Sequence, residues 1–256
     1  MPVYSRVLML GPCLTAFIVV ALASAARSEP VALAAADKVA VFGTYEGTGD
    51  KTRPIVLLFH MGSSNAGEYA PISNKLVALG YNALAIDQRS GGTEFGRANA
   101  TVQALGRTTR QLAALPDLQA ALDWTRASGH TGKVVVCGSS YSASLVFLLA
   151  AQNPGKIDAL MAFSPAEYLG GRTTVRDAAA QLKDVAVFVT SASNREEVEA
   201  ARAIVKAVPG TAKTQLIPKK APHGASALRS DANASGQAEV WTAVERFLAT
   251  ATSAHM

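Results

Sequence analysis

Cysteine is nearly absent from this chain. Two thiols in 256 residues, Cys13 and Cys137, rule out a disulfide-stapled scaffold, so stability must come from a packed core. Charge is also scarce, at 17% of residues against the usual quarter or so. The basic excess is dispersed, Lys219-Lys220 is the only adjacent basic pair, and no aromatics interleave with it, so nucleic acid is not an expected partner. Repeats, low-complexity tracts and linker-like stretches are missing too. What remains is 49% hydrophobic, which excludes a disordered chain, and its length suits one sizeable domain.

The charge deficit is concentrated at the start, where Arg6 is the only charged residue from Met1 to Ala26. A basic residue, an apolar stretch through Ala23 and the triplet Ala23-Ser24-Ala25 have the layout of a secretory signal peptide with an A-x-A cleavage site. The expected division is therefore a signal peptide over 1–25 and a single domain over 26–256, exported to the periplasm or beyond. Retention as an anchor is the alternative, since the apolar stretch approaches the roughly 20 residues that span a bilayer. Cys13 is not read as a lipidated cysteine, because Pro12 precedes it and the apolar run continues well past it. After cleavage Cys137 is the only thiol, and no stable membrane association is expected. The mature chain keeps 23 basic against 19 acidic residues, a net charge of +4, read as a solvated surface.

Past the leader, short apolar runs alternate with segments of helical period. The runs are Ile55 to Phe59, Ala83 to Ile86, Val134 to Cys137, Ala159 to Phe163, Val185 to Val189 and Gln215 to Ile217, most of them apolar on both faces, as buried parallel strands are. Helices are predicted over Ser73 to Leu79, Leu115 to Arg126, Tyr141 to Gln152 and Glu196 to Val208, and Val240, Val244, Phe247 and Leu248 mark a last one. Alternation of this kind predicts an α/β fold, a mostly parallel central sheet with helices on both faces. Lys38 to Tyr45 is expected to add one or two antiparallel edge strands. Ser90 to Gly106 and Ser164 to Asp177 read as irregular stretches at the ligand-binding side, candidates for walls or a small lid.

Chemistry concentrates at Val134-Val135-Val136-Cys137-Gly138-Ser139-Ser140-Tyr141-Ser142, a buried strand that runs through a tight small-residue turn into an apolar helix. It reads as a nucleophile elbow, G-x-S-x-G, with Ser140 at the apex and Ser142 in place of the last glycine. A dinucleotide site would need glycines where Ser140 and Ala143 stand, and no phosphate-binding lysine follows. Cys137 is still on the strand, so it is read as an inert core thiol.

A serine hydroxyl needs a general base. Of four histidines, His130 precedes the strand that delivers Ser140 and so belongs at the opposite end of the sheet, and His255 is in the tail. His60 ends an earlier strand at the correct edge. His223, in Pro222-His223-Gly224, is the one histidine both downstream of Ser140 and in a loop after the last strand, so it is the expected base.

With these residues in view the chain resembles the α/β-hydrolases, nearest to the small, capless dienelactone-hydrolase-like branch. The resemblance is carried by His60-Met61-Gly62-Ser63-Ser64-Asn65, Glu68-Tyr69, Asp87-Gln88-Arg89-Ser90-Gly91-Gly92, the Ser140 elbow and His223-Gly224. It implies a Ser-His-acid mechanism, with the oxyanion held by backbone N–H groups of Tyr141 and of Met61, or alternatively Gly62. His60 is then a structural residue of its loop. The acid departs from the family's pattern, because the loop after Val185 to Val189 reads Thr190-Ser191-Ala192-Ser193-Asn194-Arg195-Glu196-Glu197 and holds no Asp. Glu196 falls nearest the expected place, Glu197 is next, and Glu167 occupies a position from which other hydrolases of this fold supply their acid. Asp177 and a dyad with no carboxylate complete the alternatives.

The expected activity is cleavage of a small ester, thioester or lactone through an acyl-enzyme. Nothing in the motif calls for a metal or an organic cofactor, and the expected partner is a small ester-like substrate. Two readings stay open beside it: a non-catalytic binding protein on the same fold, and an acyltransferase that uses the same nucleophile. Oligomeric state has no sequence signal.

Overall fold

The computed structural model describes Met1 and residues 27–253. The leader with Arg6, Cys13 and the Ala23-Ser24-Ala25 site, and His255, lie outside the described residues. Among the described residues no helix is long and apolar enough to cross a membrane.

The apolar runs become the middle of one eight-stranded sheet. In chain order the strands are β1 (Arg27–Ala34), β2 (Ala40–Gly47), β3 (Ile55–Phe59), β4 (Asn82–Ile86), β5 (Val134–Ser139), β6 (Ala159–Phe163), β7 (Ala186–Thr190) and β8 (Lys213–Leu216). Their spatial order is β1-β2-β4-β3-β5-β6-β7-β8. β1, β2 and β4 pair antiparallel, and β4, β3, β5, β6, β7 and β8 pair parallel. This is the fold expected from the sequence. The antiparallel edge is longer than expected, because all of β1 precedes the 38–45 segment; its residues are mostly exposed and include Pro30, which an edge strand tolerates.

Among the described residues there are seven α-helices, six between strands and one after the last: α1 (Ala70–Ala78), α2 (Ala100–Leu105), α3 (Leu115–Ala127), α4 (Tyr141–Gln152), α5 (Thr174–Ala179), α6 (Arg195–Ala207) and α7 (Gln237–Ala251). α2 lies within the first stretch read as irregular, and α5 begins inside the second. Both are only six residues long, too short to show a helical period.

Successive residues of the central strands point to opposite faces. Ile55, Leu57 and Phe59 pack on one side with Leu118 of α3 and Leu145 and Leu149 of α4. Val56 and Leu58 pack on the other with Ile72 and Leu76 of α1 and Val240, Val244 and Leu248 of α7. Each such side chain contributes roughly 1.5–3 kcal/mol by leaving water, which is why both-face apolar runs were legible as central strands. Cys137 sits in the second cluster, and burial raises its thiol, as expected of an inert core cysteine. His130 lies at the far end from the Ser140 turn, buried between Tyr45 and Trp124, and burial lowers it to about 4.

The sheet reverses its winding between β3 and β5, which are neighbours although β4 lies between them in the chain. Such a switch point opens a crevice beyond the carboxyl ends of the two strands. The residues that follow β3 and β5 are His60-Met61-Gly62 and Ser140-Tyr141.

Candidate active site

Ser140 stands at the start of α4 with φ 57° and ψ −123°, a left-handed conformation that L-residues avoid. The turn is held by close approach on both sides. A Cβ on Gly138 would lie 2.2 Å from the carbonyl oxygen of Ser142, so only glycine fits there. Ser142, in place of the family's last glycine, turns its hydroxyl inward, donates to the His60 carbonyl at 2.6 Å and accepts from Gln88 Nε2 at 2.7 Å. The substitution therefore ties the elbow to the loops after β3 and β4.

His60 is the other part of that tie. Gln88 N donates to its Nε2 at 2.9 Å, so the ring proton sits on Nδ1, which donates to the Met61 carbonyl at 2.8 Å. Burial lowers His60 to about 4, and the ring is a neutral structural residue, as its loop position implied.

Two serine hydroxyls hold the loop that follows His223. Gly224 N donates to Ser164 Oγ at 3.0 Å, and Ala225 N donates to Ser139 Oγ at 2.9 Å. Ser139 is the residue immediately before Ser140, so the histidine loop is fastened to the elbow itself. Gly224 has φ +70°, and a Cβ there would come within 2.4 Å of Ser139 Oγ. Ser140 Oγ makes no side-chain hydrogen bond among the described residues.

The carboxylate beside His223 is Glu197, with Oε2 3.0 Å from Nδ1. Glu196, the residue nearest the expected place, is exposed and makes no such contact. The cause is a reciprocal helix cap. Asn194 Oδ1 accepts from Glu197 N at 3.0 Å while Asn194 Nδ2 donates to Glu197 Oε1 at 3.0 Å, which folds the Glu197 side chain back over the start of α6. Ala192 N donates to Oε2 at 3.2 Å. Burial pushes this carboxyl up, but hydrogen bonds from Ser164, Asn194 and His223 outweigh it and hold it below the usual carboxylate range. Asn-x-x-Glu is a readable signal in the sequence, and it selects Glu197 over Glu196.

Glu167 is committed elsewhere. It accepts from Val175 N at 2.8 Å and Arg176 N at 3.1 Å and pairs with the Arg176 side chain at 3.1 Å, capping α5. Asp177 accepts from the Thr173 hydroxyl at 2.9 Å.

Of the two residues expected to offer an oxyanion N–H after β3, Met61 is already engaged. Its N–H donates to Glu68 Oε2 at 2.8 Å. Gly62 N has no acceptor among the described residues, and the Gly62 Cα faces Tyr141, with Cδ1 4.0 Å from the position a Cβ would take. Tyr141 N is the first helical N–H of α4 and has no intrahelical partner. Gly62 N and Tyr141 N are thus donors without an acceptor among the described residues, one after each of the two strands at the switch point.

Glu68 had no expected role. It is fully buried, and its Oε1 accepts from Ser139 Oγ at 2.7 Å. One carboxyl group therefore joins the Met61 loop to the elbow, and through Ser139 to Ala225 of the histidine loop. Burial pushes it up to about 7 against the opposing hydrogen bonds from Ser139 and Met61. Its signal was an acidic residue at the opening of an otherwise apolar helical segment.

A cavity of about 560 Å³ adjoins Gly62, with Ser90, Leu112 and Tyr168 in its walls. Ser90 and Tyr168 come from the two stretches expected to wall the site. No group of three or more His, Cys, Asp or Glu side chains is placed to hold a metal ion among the described residues.

A strand-to-helix turn with Ser140 at positive φ, a histidine-carboxylate pair on a loop bonded to Ser139, and a sheet of this order together make an α/β-hydrolase fold. The chain belongs to the family described as serine aminopeptidase, S33, whose model matches residues 50–204. It is a serine-type hydrolase family member of dienelactone-hydrolase-like fold. A Pyrococcus furiosus esterase superposes with a TM-score of 0.69 at 20% identity, covering 89% of this chain and 92% of that one. A putative dienelactone hydrolase from Klebsiella pneumoniae gives 0.66 at 18%, covering 88% and 99%. The dienelactone hydrolase from Anabaena variabilis gives 0.66 at 16%, covering 88% and 98%. At these identities the likeness is one of fold. No curated protein sequence matches the chain significantly.

Proposed function

We propose that the chain is an exported serine hydrolase that cleaves a small ester, thioester or lactone, with Ser140 as nucleophile, His223 as general base and acid, and Glu197 as the orienting carboxylate. The observation that carries this reading is the His223–Glu197 contact on a loop fastened to Ser139, next to Ser140.

Ser140 Oγ attacks the substrate carbonyl carbon as His223 Nε2 takes its proton. Glu197 holds the proton on Nδ1, which leaves Nε2 as the basic nitrogen, and it stabilises the imidazolium that forms. The tetrahedral oxyanion accepts from Gly62 N and Tyr141 N. Collapse breaks the carbonyl carbon to leaving-oxygen (or sulfur) bond, His223 gives its proton to the departing group, and the acyl group stays on Ser140. Water, deprotonated by His223, then releases the acid. Removing one such oxyanion donor commonly costs about 10²–10³ in kcat.

The test is hydrolysis of short p-nitrophenyl esters, with an amino-acid p-nitroanilide as the amide arm, by residues 26–256 and by S140A and H223A. Ester turnover lost in both variants supports the reading. Turnover that survives in S140A overturns it. Release of free acid rather than transfer to an added alcohol separates hydrolase from acyltransferase. Export is tested by fractionating cells that express the full chain.

A further inference from the structure

The cavity beside Gly62 has a direction relative to the chemistry. His223 must protonate the leaving oxygen, so the alcohol arm of a bound ester points toward the histidine loop. The cavity walls include no residue from 191–197 or 221–225. They come instead from the loops after β3, β4 and β6 and from the 109–112 turn ahead of α3. With the carbonyl oxygen on Gly62 N and Tyr141 N, the arm that enters this space is the acyl arm.

Its lining says what kind of acyl group. Apart from Met1, four large apolar or aromatic side chains are exposed among the described residues: Leu79, Leu112, Tyr168 and Ile217. Two of these four, Leu112 and Tyr168, flank this single cavity with Leu169 beside them, while Ser63, Ser90 and Arg110 make the rest of its wall polar. Exposed apolar side chains gathered at one opening mark a surface that something apolar covers. The volume, about 560 Å³, lies within the range of ligand sites, far more than an acetyl group fills.

We infer that this cavity is an acyl subsite for an extended apolar chain or ring, and that Leu112 and Tyr168 are specificity-determining residues. The inference rests on the serine-hydrolase reading. Each methylene that enters an apolar pocket adds to kcat/KM, so selectivity grows with acyl length.

The experiment measures kcat/KM for p-nitrophenyl acetate, butyrate and hexanoate with the parent, L112S, Y168S and, as a control remote from the cavity, L79S. Leu112 and Tyr168 are exposed, so neither substitution opens the core. The parent is expected to favour hexanoate over acetate by about tenfold or more. L112S and Y168S should lose activity in proportion to chain length, about tenfold on hexanoate and far less on acetate, while L79S follows the parent. Equal losses on all three esters, or none on hexanoate, overturn the subsite. Saturation-transfer NMR of hexanoate with S140A separates this outcome from failure of the hydrolase reading. Binding that L112S abolishes in that background supports the subsite even if no ester is turned over, and absence of binding overturns it.

Discussion

Glu197 Oε2 lies 3.0 Å from His223 Nδ1, and the helix cap made by Asn194 aims it there. The adjacent Glu196 is exposed, and Glu167 is occupied with α5. Three carboxylates that the sequence left in competition thus have three different surroundings.

Substitution separates them. E197Q is expected to lower kcat by about 10²–10⁴, because the amide no longer fixes the imidazole tautomer or stabilises its cation. E196Q should stay within about twofold. E167Q should lower the melting temperature through loss of the α5 cap, with a smaller effect on kcat. A kcat series over the three variants checks the assignment, and a larger loss in E196Q than in E197Q would sink it.

Glu68 predicts a stability change with a definite sign. Burial raises its carboxyl to about 7 in the folded chain, against the ordinary 4.5. Between those values the native state holds a proton that the unfolded state has released, so this group's contribution to stability falls as pH rises from about 4.5 through 7. The full span is worth roughly 3 kcal/mol. E68Q cannot ionise, so its melting temperature relative to the parent should rise from pH 5 to pH 8. A difference that is flat with pH would show that Glu68 titrates normally. E68Q also weakens the link between Met61, Ser139 and Ala225, and a lower kcat should accompany it.

Ser164 combines strain with contact. It has φ +59° at the end of β6, and its hydroxyl accepts from Gly224 N at 3.0 Å and Ala192 N at 3.3 Å, one in the histidine loop and one in the acid loop. A non-glycine residue held there costs about 1–2 kcal/mol. S164G removes the strain and the hydroxyl together, offset by about 0.5–1 kcal/mol of chain entropy, whereas S164A removes the hydroxyl alone. S164G should therefore melt above S164A while both lose about tenfold in kcat. Activity that tracks melting temperature instead would mean that the hydroxyl positions nothing.

The central strands, the elbow and the histidine loop were legible because each follows from a local rule: apolar residues on both faces, small residues around a strained serine, and a histidine after the last strand. β1 was not legible, because an exposed edge strand has no apolar alternation to show. The carboxylate next to His223 was legible only through Asn194-x-x-Glu197, where a capping rule outweighs distance from the strand end. The engagement of Met61 N by Glu68 is a contact across seven residues in two elements, and the Ser139–Ala225 bond spans 86 positions. Neither has a periodicity or a motif to announce it.

All of the proposed chemistry passes through Ser140. Purified protein of residues 26–256 should be labelled covalently by a fluorophosphonate, with intact-mass and peptide analysis placing the phosphonyl group on Ser140. S140A should take up none, and H223A should label at least a hundredfold more slowly. Labelling of folded S140A at the parent's rate, or no labelling of the folded parent, would contradict the serine-hydrolase account.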